Sequence, residues 1–151
     1  MAKRFPLQTL LDVAQNQSDE AGRKLQLLRV KWQEAEQKLT QLALFRDEYR
    51  GRLMQNTQHG MQMAAWREFQ LFMGKLDKAI AYQTDDVTKC KQRWEAGQRE
   101  WLERQRQMKA YDTLLQRHTA NEAKREAKIE QNEQDEFASR GRRMGDGPST
   151  A

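Results

Sequence analysis

Apolar residues recur at alternating spacings of four and three over most of this chain. The first run is Leu7, Leu11, Ala14, Ser18, Ala21, Leu25, Leu28, Trp32, Ala35, Leu39, Leu42, Arg46, Tyr49 and Leu53, all apolar except Ser18 and Arg46. A second run follows a short break: Trp66, Phe69, Met73, Leu76, Ile80, Gln83, Val87, Cys90, Trp94, Gly97, Trp101, Arg104, Met108, Tyr111 and Leu115. Only Gln83, Gly97 and Arg104 depart from apolar character there. A repeat averaging 3.5 residues draws a narrow stripe along a helix, and such a stripe is buried by supercoiling against a partner helix. The pattern predicts two long helices, at about 6–54 and 63–138.

Between the runs lies Gln55-Asn56-Thr57-Gln58-His59-Gly60-Met61-Gln62. It is polar, and Gly60 supplies the positive φ of a reversal, so 55–62 reads as a turn. A short connection makes the helices antiparallel neighbours. The two stripes then mate: Leu53 faces Trp66, Tyr49 faces Phe69, Leu42 faces Leu76, Leu39 faces Ile80 and Leu28 faces Cys90. Trp32 meets Val87, and farther from the turn Leu25 meets Trp94, Leu11 meets Met108 and Leu7 meets Tyr111. The paired residue numbers sum to 118 or 119 throughout, as opposed heptads require. The fold class is therefore all-α, a long two-helix antiparallel coiled-coil hairpin with the longer helix second. It forms one domain over 1–140, with a disordered tail at 141–151. The layer of Gly97 opposite Ala21, next to Gly22, reads as a thin, loosely packed spot.

The second helix outruns the first. Beyond Leu115 the stripe fails at His118 and Glu122, leaving alanines, alternating charges, Ile129 and Phe137. The overhang at 116–138 has no mate, and isolated helices are marginal.

Composition agrees with a coiled coil and excludes much else. Of 151 residues, 37% are hydrophobic and 32% charged, which is thin for a globular core but enough for a stripe of two apolar residues in seven. Pro6 and Pro148 stand at the extremes, so proline interrupts nothing between them. No stretch approaches the ~18 apolar residues of a membrane span, and no signal peptide is evident. The single Cys90 lies in the stripe, where a small buried hydrophobe is expected, and its solitude suits a reducing cytoplasm. The net charge of +5 raises nucleic acid as a partner. The basic residues are interleaved with acids, which reads as a solvated face and argues against it. Only Arg140, Arg142 and Arg143 form a cluster without neighbouring acids.

No catalytic constellation is present. His59 and His118 are far apart, Cys90 has no histidine near it, and there is no phosphate loop, dinucleotide fingerprint or metal-spaced Cys/His set. The sequence calls for no enzyme activity, no cofactor and no metal. What stands out instead are large apolar residues outside the stripe: Phe45, Phe72, Leu44 and Leu71. Phe45 and Phe72 fall at the same height near the turn, beside Leu42, Tyr49, Leu76 and Ala79. Exposed apolar groups that gather in this way mark a protein contact, or else widen the hairpin's own core.

Several short pieces resemble the flagellar type III export protein FliJ family. They are the opening Leu7, Leu10 and Leu11, Glu48-Tyr49-Arg50 before the turn, Trp66 after it, Phe72-x-x-x-Leu76-x-x-Ala79-Ile80, and the late Asp135-Glu136-Phe137-Ala138. Their order and separations, from Leu7 to about Ala138, carry the likeness. The resemblance implies a cytoplasmic antiparallel coiled coil similar to the central stalk of rotary ATPases. It implies a stalk that binds the hexameric flagellar export ATPase, couples it to the membrane export gate, and handles export chaperones. Such a protein is peripheral at the cytoplasmic face of the inner membrane through its partners. By the same resemblance Leu42, Phe45, Tyr49, Phe72, Leu76 and Ala79 bind the cytoplasmic part of the transmembrane gate. Lys38 and Gln83 depart from the Gln and His that related members can carry. The alternatives are an equivalent stalk of a virulence secretion system, a basic coiled coil that binds nucleic acid, and a plain structural spacer.

Overall fold

A computed structural model describes residues 6–145. It is all-α: α1 spans Pro6–Gln58 and α2 spans Met63–Gly145, the second longer, and the two pack against each other. Pro6 opens α1, where its fixed φ suits a first turn and its missing N–H costs nothing. Gln, Arg, Lys, Glu, Ala and Leu fill both helices, with few β-branched residues to oppose them.

Both helices are longer than the pattern predicts. Residues 55–58 continue α1, because Gln is a good helix former and no glycine or proline intervenes before Gly60; the Thr57 hydroxyl donates back to the Leu53 carbonyl. The His59 N–H still reaches the Gln55 carbonyl at 3.3 Å, and Gly60 then takes φ +84° to reverse the chain. Only residues 59–62 remain for the turn. At the other end α2 runs through Ala138 and Gly141 to Gly145, so residues 141–145 are helical where the sequence suggested a disordered tail. No proline intervenes before Pro148, and Arg142 and Arg143 in the last turn complement the helix dipole. Residues 146–151 lie outside the described part.

The described residues divide into two compact units, 16–105 and 6–15 with 106–145. Within Asn16–Gln105 the helices are antiparallel about the turn, and the stripe is the core. Ser18, Ala21, Ala35, Met73, Leu76, Cys90 and Gly97 are buried, and the other stripe positions are half-buried apart from the more open Trp66. The register follows the predicted sum: Gln83 Nε2 donates to the Ala35 carbonyl at 2.9 Å, and the Tyr49 and Phe69 rings lie 5.5 Å apart.

Farther from the turn, side chains meet partners beyond their own level. The rings of Trp32 and Trp94 lie 5.2 Å apart, although Trp32 was expected opposite Val87 and Trp94 opposite Leu25. Helical side chains lean toward their own N-terminus, so in an antiparallel pair two long ones lean toward each other. Two indoles can close a gap between levels that smaller residues cannot. The same lean fills the glycine layer expected to be loose. A Cβ built on Gly97 would stand 2.7 Å from Leu28 Cδ1 and 3.6 Å from Leu25 Cδ1, and one on Gly22 would stand 3.2 Å from Trp101 Nε1. These glycines are notches that receive large side chains.

With stripe residues as a and d of the heptad, positions e and b lie on one flank and g and c on the other. In an antiparallel pair like flanks adjoin. Lys24 and Glu100, both g, accordingly form an ion pair at 3.8 Å.

In the second unit Ala14 is buried, while Leu7, Leu11, Met108, Tyr111 and Leu115 are half-buried. His118 remains half-buried and pairs with Glu122 at 3.3 Å. From 119 to 143 every residue is exposed, as a helix without a mate requires.

Candidate partner-binding site

The apolar residues that the stripe does not use come together in Asn16–Gln105. Phe45 and Phe72 both occupy g positions, so the antiparallel pairing brings them to one flank near the turn. Their rings pack edge to face at 6.2 Å. Tyr49, a d residue one turn from Phe45, closes a triangle with them. It lies 5.0 Å from Phe45, 4.5 Å from Phe72 and 5.5 Å from Phe69. Such ring pairs contribute about 0.5–1.5 kcal/mol each beyond area burial. The Arg52 guanidinium sits over the outer side of this group, 6.0 Å from the Tyr49 ring centre.

These aromatics neither sink wholly into the core nor stand free of it. They cover the edge of the stripe, yet Phe45 keeps 42% of its surface exposed and Phe72 36%. Leu42 and Ala79 are half-buried beside the stripe. Leu76 is only 6% exposed because it is a d residue, so it supports the patch from beneath and offers little surface of its own. Leu44 and Leu71 are exposed but lie at f positions, away from this flank.

Two features were missed in reading the sequence. Arg52 follows Phe45 by one heptad and so shares its flank, a spacing that would have revealed it. Arg46 is the other. This a residue has its Nε buried without a hydrogen-bond partner, with the Asp47 carboxylate 3.7 Å away. Its place in the stripe marked it as polar but said nothing of that unsatisfied donor.

Cys90 is free and buried, as its stripe position implied. Lys31, Glu34, Ala35, Lys38, Asp86 and Cys90 line one small recess on the g flank. Among the described residues no group of three or more His, Cys, Asp or Glu is arranged to hold a metal ion. None of the described helices is long and apolar enough to cross a membrane.

A family model described as flagellar FliJ protein matches residues 3–144. The chain belongs to the FliJ family of flagellar export proteins. It is 33% identical over 140 residues to a flagellar FliJ protein of Salmonella typhi, covering 93% of this chain and 95% of the relative. It is 30% identical over 140 residues to a flagellar FliJ protein of Escherichia coli strain K12, again covering 93% and 95%. The family match spans both helices and the turn, including all six residues of the candidate patch.

Proposed function

We propose that this protein is a non-enzymatic stalk and adaptor of the flagellar type III export apparatus. It binds the export ATPase hexamer, couples that ring to the cytoplasmic part of the transmembrane gate, and handles export chaperones. Family membership supports the flagellar export setting. The observation that carries the adaptor role is the half-exposed aromatic flank of Phe45, Tyr49 and Phe72, with Leu42, Leu76 and Ala79 shaping its edges. Rigid aromatics half sunk in a coiled-coil edge present area at little entropic cost, which is how contact hot spots are made. The gate is contacted through this flank. Membrane association through these partners places the protein at the cytoplasmic face.

The test is binding of the gate's cytoplasmic part to Phe45→Ala and Phe72→Ala proteins, alongside their thermal melts. Each substitution should weaken binding tenfold or more, on the order of a hot-spot residue, with helicity nearly unchanged. A variant that melts far lower yet binds normally would make the aromatics core and remove the site.

A further inference from the structure

The e and b flank beside the turn is a second surface, opposite the aromatic one. Arg50 and Met63 occupy e positions there, and Met54 and Arg67 b positions. Met54 is 67% exposed and Met63 71%, at nearly the same level on either side of the turn. Trp66, Arg67, Gln70 and Leu71 line one open recess adjoining them, with Trp66 and Leu71 partly or largely exposed. From Tyr49 through Arg67 the chain contains no Asp or Glu, but it carries Arg50, Arg52 and Arg67. The nearest acid on this flank, Asp47, lies beside Arg46 at 3.7 Å. An acid-free, arginine-bearing end with exposed methionines and a tryptophan is unlike most of the chain, where acids and bases interleave, and the basic cluster at Arg140, Arg142 and Arg143 has no tryptophan beside it.

We propose that this turn end contacts an anionic lipid surface directly. Arg50 and Arg67 meet headgroup phosphates, while Met54, Met63 and Trp66 enter the boundary between headgroups and acyl chains. The charge is complementary: basic side chains near an anionic bilayer attract it additively. The apolar groups suit this partner too. Tryptophan favours the interface, where its ring is half apolar and its N–H is wet, and arginine keeps its charge in water while its stem lies on apolar surface. None of the described helices is long and apolar enough to enter further, so the contact is interfacial. It uses the flank opposite Phe45 and Phe72, and it stands whether or not those residues bind the gate.

The test is co-sedimentation of the full-length protein with vesicles of phosphatidylglycerol and phosphatidylcholine, against phosphatidylcholine alone. Binding is expected only to the anionic vesicles and should fall as salt rises. Arg50→Gln and Arg67→Gln should each weaken it roughly five-fold. Met54→Ser with Met63→Ser should weaken it as well. These side chains are exposed, so circular dichroism should show unchanged helicity. Phosphatidylglycerol with brominated acyl chains should quench tryptophan emission, and Trp66→Phe should abolish that quenching, since Trp32, Trp94 and Trp101 lie in the stripe. The proposal is overturned if anionic vesicles fail to bind at low salt, or if neutral vesicles bind equally. It is also overturned if Arg140→Gln/Arg142→Gln/Arg143→Gln abolishes binding while the turn variants do not. Absence of lipid binding would leave an acidic protein surface as the partner of this flank.

Discussion

At the scale of single residues, glycine has two meanings in this protein. Gly51 and Gly74 have open space where a Cβ would stand, so they only weaken their helices. Gly51→Ala and Gly74→Ala should each raise the unfolding free energy by about 0.5–1 kcal/mol in urea titrations. Gly97 is a notch holding Leu28, and Gly97→Ala must displace that side chain. Its packing cost should cancel the gain in helix propensity, so Gly97→Ala should melt below Gly74→Ala. An increase as large as that of Gly74→Ala would mean that Leu28 moves freely and the notch is unimportant. Arg46 offers a contrasting case: its buried Nε lacks a hydrogen bond, and an unsatisfied donor costs about 1–3 kcal/mol. Arg46→Met keeps the stem and removes the donor, so it should stabilise the fold by about 1 kcal/mol in the same titration. A lower midpoint would show that Arg46 finds water or a partner in solution.

At the scale of elements, the heptads made both helices and their pairing legible, because a stripe can be buried in few ways. Tyr49 against Phe69 and Gln83 against the Ala35 carbonyl follow from that arithmetic. The meeting of Trp32 with Trp94 did not, since heptad counting places backbones and ignores the lean of long side chains. Helix ends were less legible: residues 55–58 carry neither a breaker nor a stripe residue, and Gly141 suggested an end that α2 runs through to Gly145. For the candidate site, Phe45 and Phe72 announced themselves as large residues out of phase. The burial of Leu76 and the flank of Arg52 follow from the same heptad, whereas the unsatisfied Nε of Arg46 needed coordinates. The exposed stretch 119–143 has a physical consequence. It lacks a mate in α1, so a chain ending at His118 should lose helical signal in proportion to length while the remaining protein melts at nearly the same temperature. A large drop in melting temperature would mean that the overhang supports the paired helices.

At the scale of the whole molecule, the functional reading depends on a single chain pairing its own helices. Only then do Phe45 and Phe72, distant in sequence, share a flank that a partner can bind. A parallel dimer of extended chains would also satisfy two apolar stripes, but it would pair like residues and divide the aromatic cluster. Lys31 and Asp86 distinguish the two arrangements, since they line one recess across the helix pair. The decisive measurement is the electron–electron distance between spin labels at these positions. It uses Lys31→Cys/Asp86→Cys in a Cys90→Ala background, diluted with unlabelled chain. Helices packed at their usual separation place the labels about 2 nm apart or closer within one monomer. A distance near 8 nm, roughly the rise of a continuous helix between the two positions, would contradict the folded-back chain and the site built on it.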